Sequence, residues 1–377
     1  MNRFIETLQR VDWMLLSAAI TLTAVGLTAI YGIGISQDQA DFFLFHKQFV
    51  TFAIGIAAVI VLIFLDYRHL RSYSLILYLA GMLLLLAVLV FGHTVNNTQG
   101  WFRIGALSFQ PVELAKILLT IYLAAFFSRK SHKRLSWRSF GISFLAATGY
   151  AGLVLLQPDF GSAMVLYMIW GMMALFAGLP KYAWFILPLT ACTVALLAWN
   201  FALQPYQQAR VASFLDPNLD PRGSGYNAIQ ARIAIGSGGL FGKGVGEGSQ
   251  ARLRFLPASA TDFIFAVIGE ELGFVGVAFI LGLFLLILYR FIRLGYESED
   301  EFASLLLIGL SGLILIHLTV NVGMNLGIMP ITGIPMPFLS AAASYLLITF
   351  VAIGLAESIA VRRRATVDRE AAKILFE

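Results

Sequence analysis

Residues 262–289 read DFIFAVIGEELGFVGVAFILGLFLLILY, and the stretch before them, Pro205 to Thr261, is polar and rich in glycine for about 57 residues. As a helix, Asp262 to Tyr289 would rise about 42 Å at roughly 1.5 Å per residue. That exceeds the hydrocarbon core of a bilayer, about 30 Å. An apolar run too long for a small soluble core therefore adjoins a segment too polar to be buried in lipid. The junction, Thr261-Asp262-Phe263-Ile264-Phe265, is where water and membrane meet.

Outward from this run, the same composition recurs along the chain. Of the 377 residues, 59% are hydrophobic and only 12% charged, which describes a polytopic membrane protein and not a soluble domain. Ten runs are long enough to span: Trp13 to Tyr31, Gln48 to Leu65, Ser74 to Gly92, Pro111 to Ser128, Ser139 to Leu156, Phe160 to Leu179, Tyr182 to Leu203, Asp262 to Tyr289, Phe302 to Leu326 and Phe338 to Val361. The expected fold is all-α, with ten transmembrane helices and one long extracytoplasmic loop between helices 7 and 8. Residues 1–377 are expected to form a single membrane domain, with loop 205–261 part of it. The first run lacks a small-residue cleavage site after a short apolar stretch, so it reads as a retained helix.

Basic residues in short loops favour the cytoplasm. An even number of spans puts both termini on one side, and with that side cytoplasmic, 17 of the 26 Lys and Arg lie inside, Lys133 and the Arg362-Arg363-Arg364 run among them. The long loop holds Arg210, Arg222, Arg232, Lys243, Arg252 and Arg254, but long loops translocate with little regard to charge. It is therefore assigned outside a cytoplasmic membrane. The net charge of +5 is then a topology signal, because its densest cluster, Arg129 to Arg138, borders a span. No nucleic-acid partner is implied.

Cys192 stands alone in an apolar run, which excludes a disulfide or thiolate metal site in the loop. None of the five histidines lies in that loop, and His317 is the one inside a span, where an interhelical hydrogen bond is its plain role. Gly236-Ser237-Gly238-Gly239-Leu240-Phe241-Gly242-Lys243-Gly244 looks like a phosphate loop but has Ser237 and Gly244 where a Walker motif needs Gly and Ser or Thr. Gly244-Val245-Gly246 likewise lacks the third glycine of a dinucleotide fingerprint. The interleaved Ile229, Ile233, Ile235, Leu240 and Phe241 suggest a segment lying on the bilayer interface.

Ionisable side chains inside spans are costly and are usually paired or functional. Glu113 and Lys116, three residues apart after Gln110-Pro111, can meet on one helix face. Arg103, Asp159 in the short turn Gln157-Pro158-Asp159-Phe160-Gly161, Lys243 and Asp262 are assigned to the same outer side. Asp262 opens a helix, where capping is its plain role. Gathered on one membrane face, these six suit an anionic, lipid-linked substrate.

The ordered motifs resemble the SEDS family (shape, elongation, division and sporulation). They are Asn97-Thr98-Gln99-Gly100-Trp101-Phe102-Arg103-Ile104 (followed by Gly105), Phe109 to Lys116, Gln157 to Ala163, Gly225-Tyr226-Asn227, Ala234 to Gly244, Phe255-Leu256-Pro257, Thr261 to Ala266 and Asn325 to Ser340. The termini and the opening Arg10-Val11-Asp12-Trp13 look more like elongation than division members. The resemblance implies a peptidoglycan glycosyltransferase that polymerises lipid II on the outer face of the bacterial cytoplasmic membrane. It implies membrane lipids as surroundings and a class B penicillin-binding protein, a transpeptidase, as partner. The family's essential outer-loop acid falls on Asp262, the catalytic candidate, with Arg103, Glu113, Lys116, Asp159 and Lys243 as substrate-binding candidates. No cofactor is evident, and a divalent cation stays open. The chain departs from the family at Val112, Ala258, Ala260 and Ala341-Ala342-Ala343. Two other readings stay open: a flippase for a lipid-linked saccharide with Glu270, Glu271 and His317 as relays, and a non-catalytic scaffold.

Overall fold

A computed structural model describes residues 2–36, 40–95, 98–104, 107–130, 134–201, 205–220, 223–253 and 255–376. Asn97, Gly105, Lys133, Leu203, Arg222 and Arg254 of the sequence reading lie outside the described residues. A short helix α1 (Asn2–Gln9) precedes α2 (Trp13–Ile35), α3 (Phe43–Phe64) and α4 (Arg68–Phe91). Strands β1 (His93–Val95), β2 (Thr98–Ile104) and β3 (Leu107–Phe109) lead to α5 (Pro111–Ser128), α6 (Trp137–Leu155), α7 (Phe160–Phe176) and α8 (Ala183–Phe201). The long loop holds α9 (Pro205–Leu215), α10 (Ser224–Ser237) and α11 (Ser249–Arg252), and the chain ends in α12 (Ile264–Tyr296), α13 (Glu301–Leu326) and α14 (Ala343–Phe376).

Each of the ten apolar runs folds as a helix, and eight of these, among the described residues, are long and apolar enough to cross a membrane. Helix α7 is shorter, at 17 residues, and α8 carries Pro188 inside its 19 residues. Local signals set several starts: the side chains of Asp12, Ser136, Asp159 and Asp300 accept the N-H groups of Leu15, Ser139, Ser162 and Phe302. Gly327, at φ 75°, ends α13 in the left-handed conformation. Several bounds differ from the sequence reading: α3 begins five residues before Gln48, α4 six before Ser74, and α14 runs fifteen residues past Val361. Helix α12 continues seven residues past Tyr289, and α14 begins at Ala343 because Pro335, Pro337 and Phe338, the last at φ 62°, keep the preceding segment irregular.

Helices α5 and α14 form the interior: 83% and 89% of their most apolar windows are buried, against 28% for α3 and α4. Helix α14 packs along α3, α5 along α4 and α13, and α12 against α13 and α2. The exposed Leu83, Val90 and Phe91 of α4 and Leu145 of α6 face outward, as a lipid-contacting surface requires. Some buried polar groups are matched across helices. Tyr78 and Tyr150 stack with centroids 4.6 Å apart, and their hydroxyls donate to the carbonyls of Ala146 (2.9 Å) and Tyr78 (2.7 Å).

The all-α expectation holds for the spans but not for the connection between α4 and α5. There β1, β2 and β3 form an antiparallel sheet in sequence order, with His93 opposite Trp101 and Phe102 opposite Phe109. Short strands of Thr, Val, Trp and Phe leave a weaker periodic signal than a span.

The long loop also differs from a segment resting wholly on the interface. Gly273 breaks α12 at φ 65°, a conformation open to glycine. The carbonyls of Glu270 and Glu271 accept the N-H groups of Lys243 and Gly244, both at 3.0 Å. The N-H groups of Phe274 and Val275 donate to Gly239 (2.9 Å) and Leu240 (3.0 Å). Residues 239–244 thus serve as the missing turn of the helix, which is how irregular backbone survives at a membrane. Ile235 packs on the core, whereas Ile233, Leu240 and Phe241 are exposed, Phe241 by 81%.

Candidate active site

The loop ends in a turn built on one carbonyl. Ala258 adopts φ 53°, and its oxygen accepts the N-H groups of Thr261 (3.1 Å), Asp262 (3.1 Å) and Phe263 (3.3 Å). Because α12 starts only at Ile264, with Phe263 at its cap position, Asp262 does not cap the helix, contrary to its plain role in the sequence reading. The turn is held from below by the C-terminal third of the chain. Asn321 and Asn325 Nδ2 donate to the carbonyl of Asp262 at 3.0 and 3.1 Å. Ser340 Oγ donates to Thr261 O at 2.6 Å, and Ala341 N-H to Ala260 O at 2.8 Å. Two positions that depart from the family pattern, Ala260 and Ala341, are therefore in direct contact.

With its backbone fixed, the Asp262 side chain faces a cavity of about 320 Å³. Burial raises its carboxyl above the usual aspartate range, opposed by a hydrogen bond from the Thr261 hydroxyl and by the charge of Arg210. Gly333, at φ 74°, lies beside it; a Cβ there would sit 3.6 Å from Asp262 Oδ2.

The same cavity is lined by Glu113, Lys116 and Asp159, so four of the six predicted residues converge. Lys116, 1% exposed, donates from Nζ to Glu113 Oε1 at 2.8 Å and lies 3.3 Å from His317 Nε2. An ammonium can only donate, so the imidazole carries its proton on Nδ1, which lies 3.3 Å from the carbonyl of Pro335. The ring stacks on Tyr345 at 4.2 Å. Asp159 spends Oδ1 on capping α7, through Ser162 N at 2.9 Å, and Oδ2 on Gln110 Nε2 at 3.2 Å. Glu113 Oε2 and Thr332 Oγ1 are buried without a hydrogen-bond partner. With Tyr345 Oη, likewise unmatched, three buried oxygens line this polar cavity, which suits the hydroxyl and amide groups of a sugar.

The other two predicted residues lie outside this cavity. Arg103 is exposed on β2 opposite Ser108; Ser108 takes a bond from Lys47 Nζ at 3.0 Å, and its carbonyl accepts the cavity-lining Ser344 Oγ at 3.1 Å. Arg103 therefore stands on the rim. Lys243 is bound to Glu270 Oε1 at 2.7 Å and Ser249 Oγ at 3.2 Å, in the clamp across the break of α12. A cation that sequence reasoning counted only for topology, Arg210 of α9, does line the cavity, with Nη1 at 3.5 Å from Ile331 O. Nothing local in its sequence separates it from Arg232 or Arg252. Among the described residues, no group of three or more His, Cys, Asp or Glu side chains is arranged to hold a metal ion.

Comparison with known proteins adds the following. The profile of the cell cycle protein family FtsW/RodA/SpoVE matches residues 10–365. A probable peptidoglycan glycosyltransferase FtsW of Geobacter metallireducens is 32% identical over 96% of this chain and 98% of its own length. Peptidoglycan glycosyltransferase MrdB of Escherichia coli K12 is 35% identical over 87% of this chain and 89% of its own. Among solved structures, a chain of a peptidoglycan synthase complex that coordinates polymerization and crosslinking superimposes with a TM-score of 0.80 at 32% identity, over 94% of this chain and 98% of that one. The rod shape determining protein RodA of Thermus thermophilus gives a TM-score of 0.70 at 30% identity, over 94% and 97%.

Proposed function

The chain belongs to the FtsW/RodA/SpoVE family of cell cycle proteins, and from that membership we propose that its cavity joins sugars of lipid II into glycan, with Asp262 as the general base. It is a multi-pass membrane protein and a peptidoglycan glycosyltransferase. The acceptor hydroxyl gives its proton to the Asp262 carboxylate as its oxygen bonds to the donor's anomeric carbon. The bond from that carbon to the lipid pyrophosphate breaks, and the pyrophosphate leaves with the electron pair. A single displacement turns an α-linked donor into a β-linked product. Arg210 and Lys116 face the same cavity and can stabilise the departing charge, with Arg103 at the rim. Lys243 has a supporting role in this reading, because its ammonium is engaged by Glu270.

One observation carries the proposal: Asp262 is excused from capping, its backbone is held by Asn321 and Asn325, and its carboxylate faces cations across a water-accessible cavity. The flippase reading draws less support. Of its three relays, Glu270 and Glu271 accept hydrogen bonds from Lys243, Ser249 and Gly246 of the loop, and His317 lines the Asp262 cavity beside Lys116. In this reading both termini lie on the cytoplasmic side of a bacterial inner membrane, with a class B penicillin-binding protein as crosslinking partner and elongation as the setting. A reporter at Gly246 tests that orientation.

The decisive assay is polymerisation of lipid II by the purified protein with its transpeptidase partner. Asp262→Asn is expected to lower the rate by roughly 10²–10⁴-fold, the range of a lost general base, with lipid II binding retained. A variant within threefold of the parent overturns the assignment.

A further inference from the structure

A second cavity lies at the other end of the molecule, where the two terminal segments meet. It measures about 490 Å³ and is lined by Glu6, Arg10, Arg290, Arg293, Arg363 and Arg364, together with Glu297. From Asp262 it is roughly 40 Å along α12 at 1.5 Å per residue, so it belongs to a different site. The reaction proposed above makes no use of it.

Five guanidinium groups here outnumber the carboxylates about them, Glu6 and Glu297 on the lining and the buried Asp12 and Glu357 beside it. Arg290 is bound to Asp12 behind the cavity wall. Arg293 Nε donates to Glu297 Oε1 at 2.8 Å, and Arg363 also pairs with that carboxylate, so two cations share one anion. Arg364 Nη1 donates to the carbonyls of Arg10 (3.0 Å) and Val11 (2.9 Å). Neutral carbonyls fix the plane of a guanidinium without cancelling its charge. The result is a set of held N-H donors on one cavity with excess positive charge, which suits a phosphate.

The surroundings select the source of that phosphate. On the same end of α12, Tyr289, Ile292 and Tyr296 are exposed, Tyr296 by 92%, and Trp13 is exposed at the start of α2. Exposed tyrosine and tryptophan at helix ends mark the headgroup level of a bilayer. Arg293 reaches Tyr289 Oη at 3.5 Å, so the basic cavity opens beside this belt. A phosphate at that depth carries acyl chains, which the exposed faces of Tyr289 and Ile292 can cover. We propose that this cavity binds the phosphate of an anionic membrane phospholipid, a type of basic pocket between spans known to attract such headgroups.

The test is native mass spectrometry of the purified, delipidated protein titrated with phosphatidylglycerol or phosphatidylcholine. Phosphatidylglycerol is expected to bind at least tenfold tighter. Arg293→Gln should weaken that binding roughly fivefold, and Glu6→Gln, at an exposed carboxylate, should tighten it by a similar factor. The second variant keeps the test sound if the first perturbs folding. Arg138→Gln, at the start of α6, should change nothing. Equal binding of both lipids overturns the proposal, as does an effect of Arg138→Gln equal to that of Arg293→Gln. Inorganic phosphate binding that follows the two variants while phosphatidylglycerol is not retained overturns it too, in favour of a soluble anion.

Discussion

Replacing Glu270 by alanine opens the clamp that repairs α12, and its cost can be worked from the contacts. The Glu270 side chain has no solvent exposure and accepts from Lys243 Nζ at 2.7 Å, Ser249 Oγ at 2.9 Å and Gln250 N at 3.2 Å. Breaking a buried ion pair from one side costs about 3–5 kcal/mol. Lys243 is one-third exposed and its ammonium can turn to water, so that figure is discounted. The donors of Ser249 and Gln250 add about 1 kcal/mol each when left unmatched. The net expectation is about 3 kcal/mol, or an apparent melting point lower by roughly 5 °C. Glu270→Gln, which keeps the shape, should lose about half as much. The double variant Glu270→Met with Lys243→Met should recover part of the loss, because an apolar pair replaces a buried ionic one. Tryptophan-fluorescence melting of the detergent-purified protein measures the parent and the three variants, with polymerisation followed in parallel. A Glu270→Ala melt within about 1 °C of the parent refutes the clamp.

Other outcomes follow from the turn at Asp262. Its carboxyl is raised by burial, so the ionised base is lost at a higher pH than for a free aspartate, and the acid limb of the rate profile should sit correspondingly high. Arg210→Gln removes a charge that opposes the rise and should move this limb to still higher pH, read from initial rates across a buffer series. The raised value also means that the protonated form favours the folded state; this contribution is present at low pH and lost as pH climbs through the raised value. Asp262→Asn should therefore melt above the parent at neutral pH. Asn321→Ala strips a donor from the carbonyls of Asp262 and Ile334, and should cost about 2 kcal/mol and lower polymerisation roughly tenfold in paired melting and rate assays. Gly333→Ala forces a side chain into φ 74° beside the Asp262 carboxylate; about 1–2 kcal/mol of strain is expected, with lost activity out of proportion to the lost stability.

Hydrocarbon imposes a strict length on apolar runs, which is why the spans could be read directly from the chain. The Glu113–Lys116 pair was legible for an equally local reason, since three residues along a helix bring side chains together. His317, read as an interhelical hydrogen-bonding group, does contact Lys116 of α5. Features set by distant parts of the chain were not legible. Lys243 and Glu270 stand 27 residues apart, and no periodicity links them. Gly273 looks like any glycine in an apolar run until a loop is found satisfying its neighbours' backbone. Asp262 sat two residues from the true helix start, so capping was a fair expectation that the Ala258 turn removed. Arg210 enters the cavity because α9 folds back toward the segment around Ile331, and neither helix nor fold-back was visible in a polar loop.

The groups that hold the turn at Asp262 all come later in the chain: Asn321, Asn325, Ser340 and Ala341. During synthesis, α12 and its preceding loop are made before any of these donors exists. The carbonyls of Ala260, Thr261 and Asp262 must wait for α13 and the segment that follows it. A product truncated before residue 321 can thread its first eight spans and still lack the means to aim its aspartate. On these contacts the aspartate is aimed only once the last spans are in place.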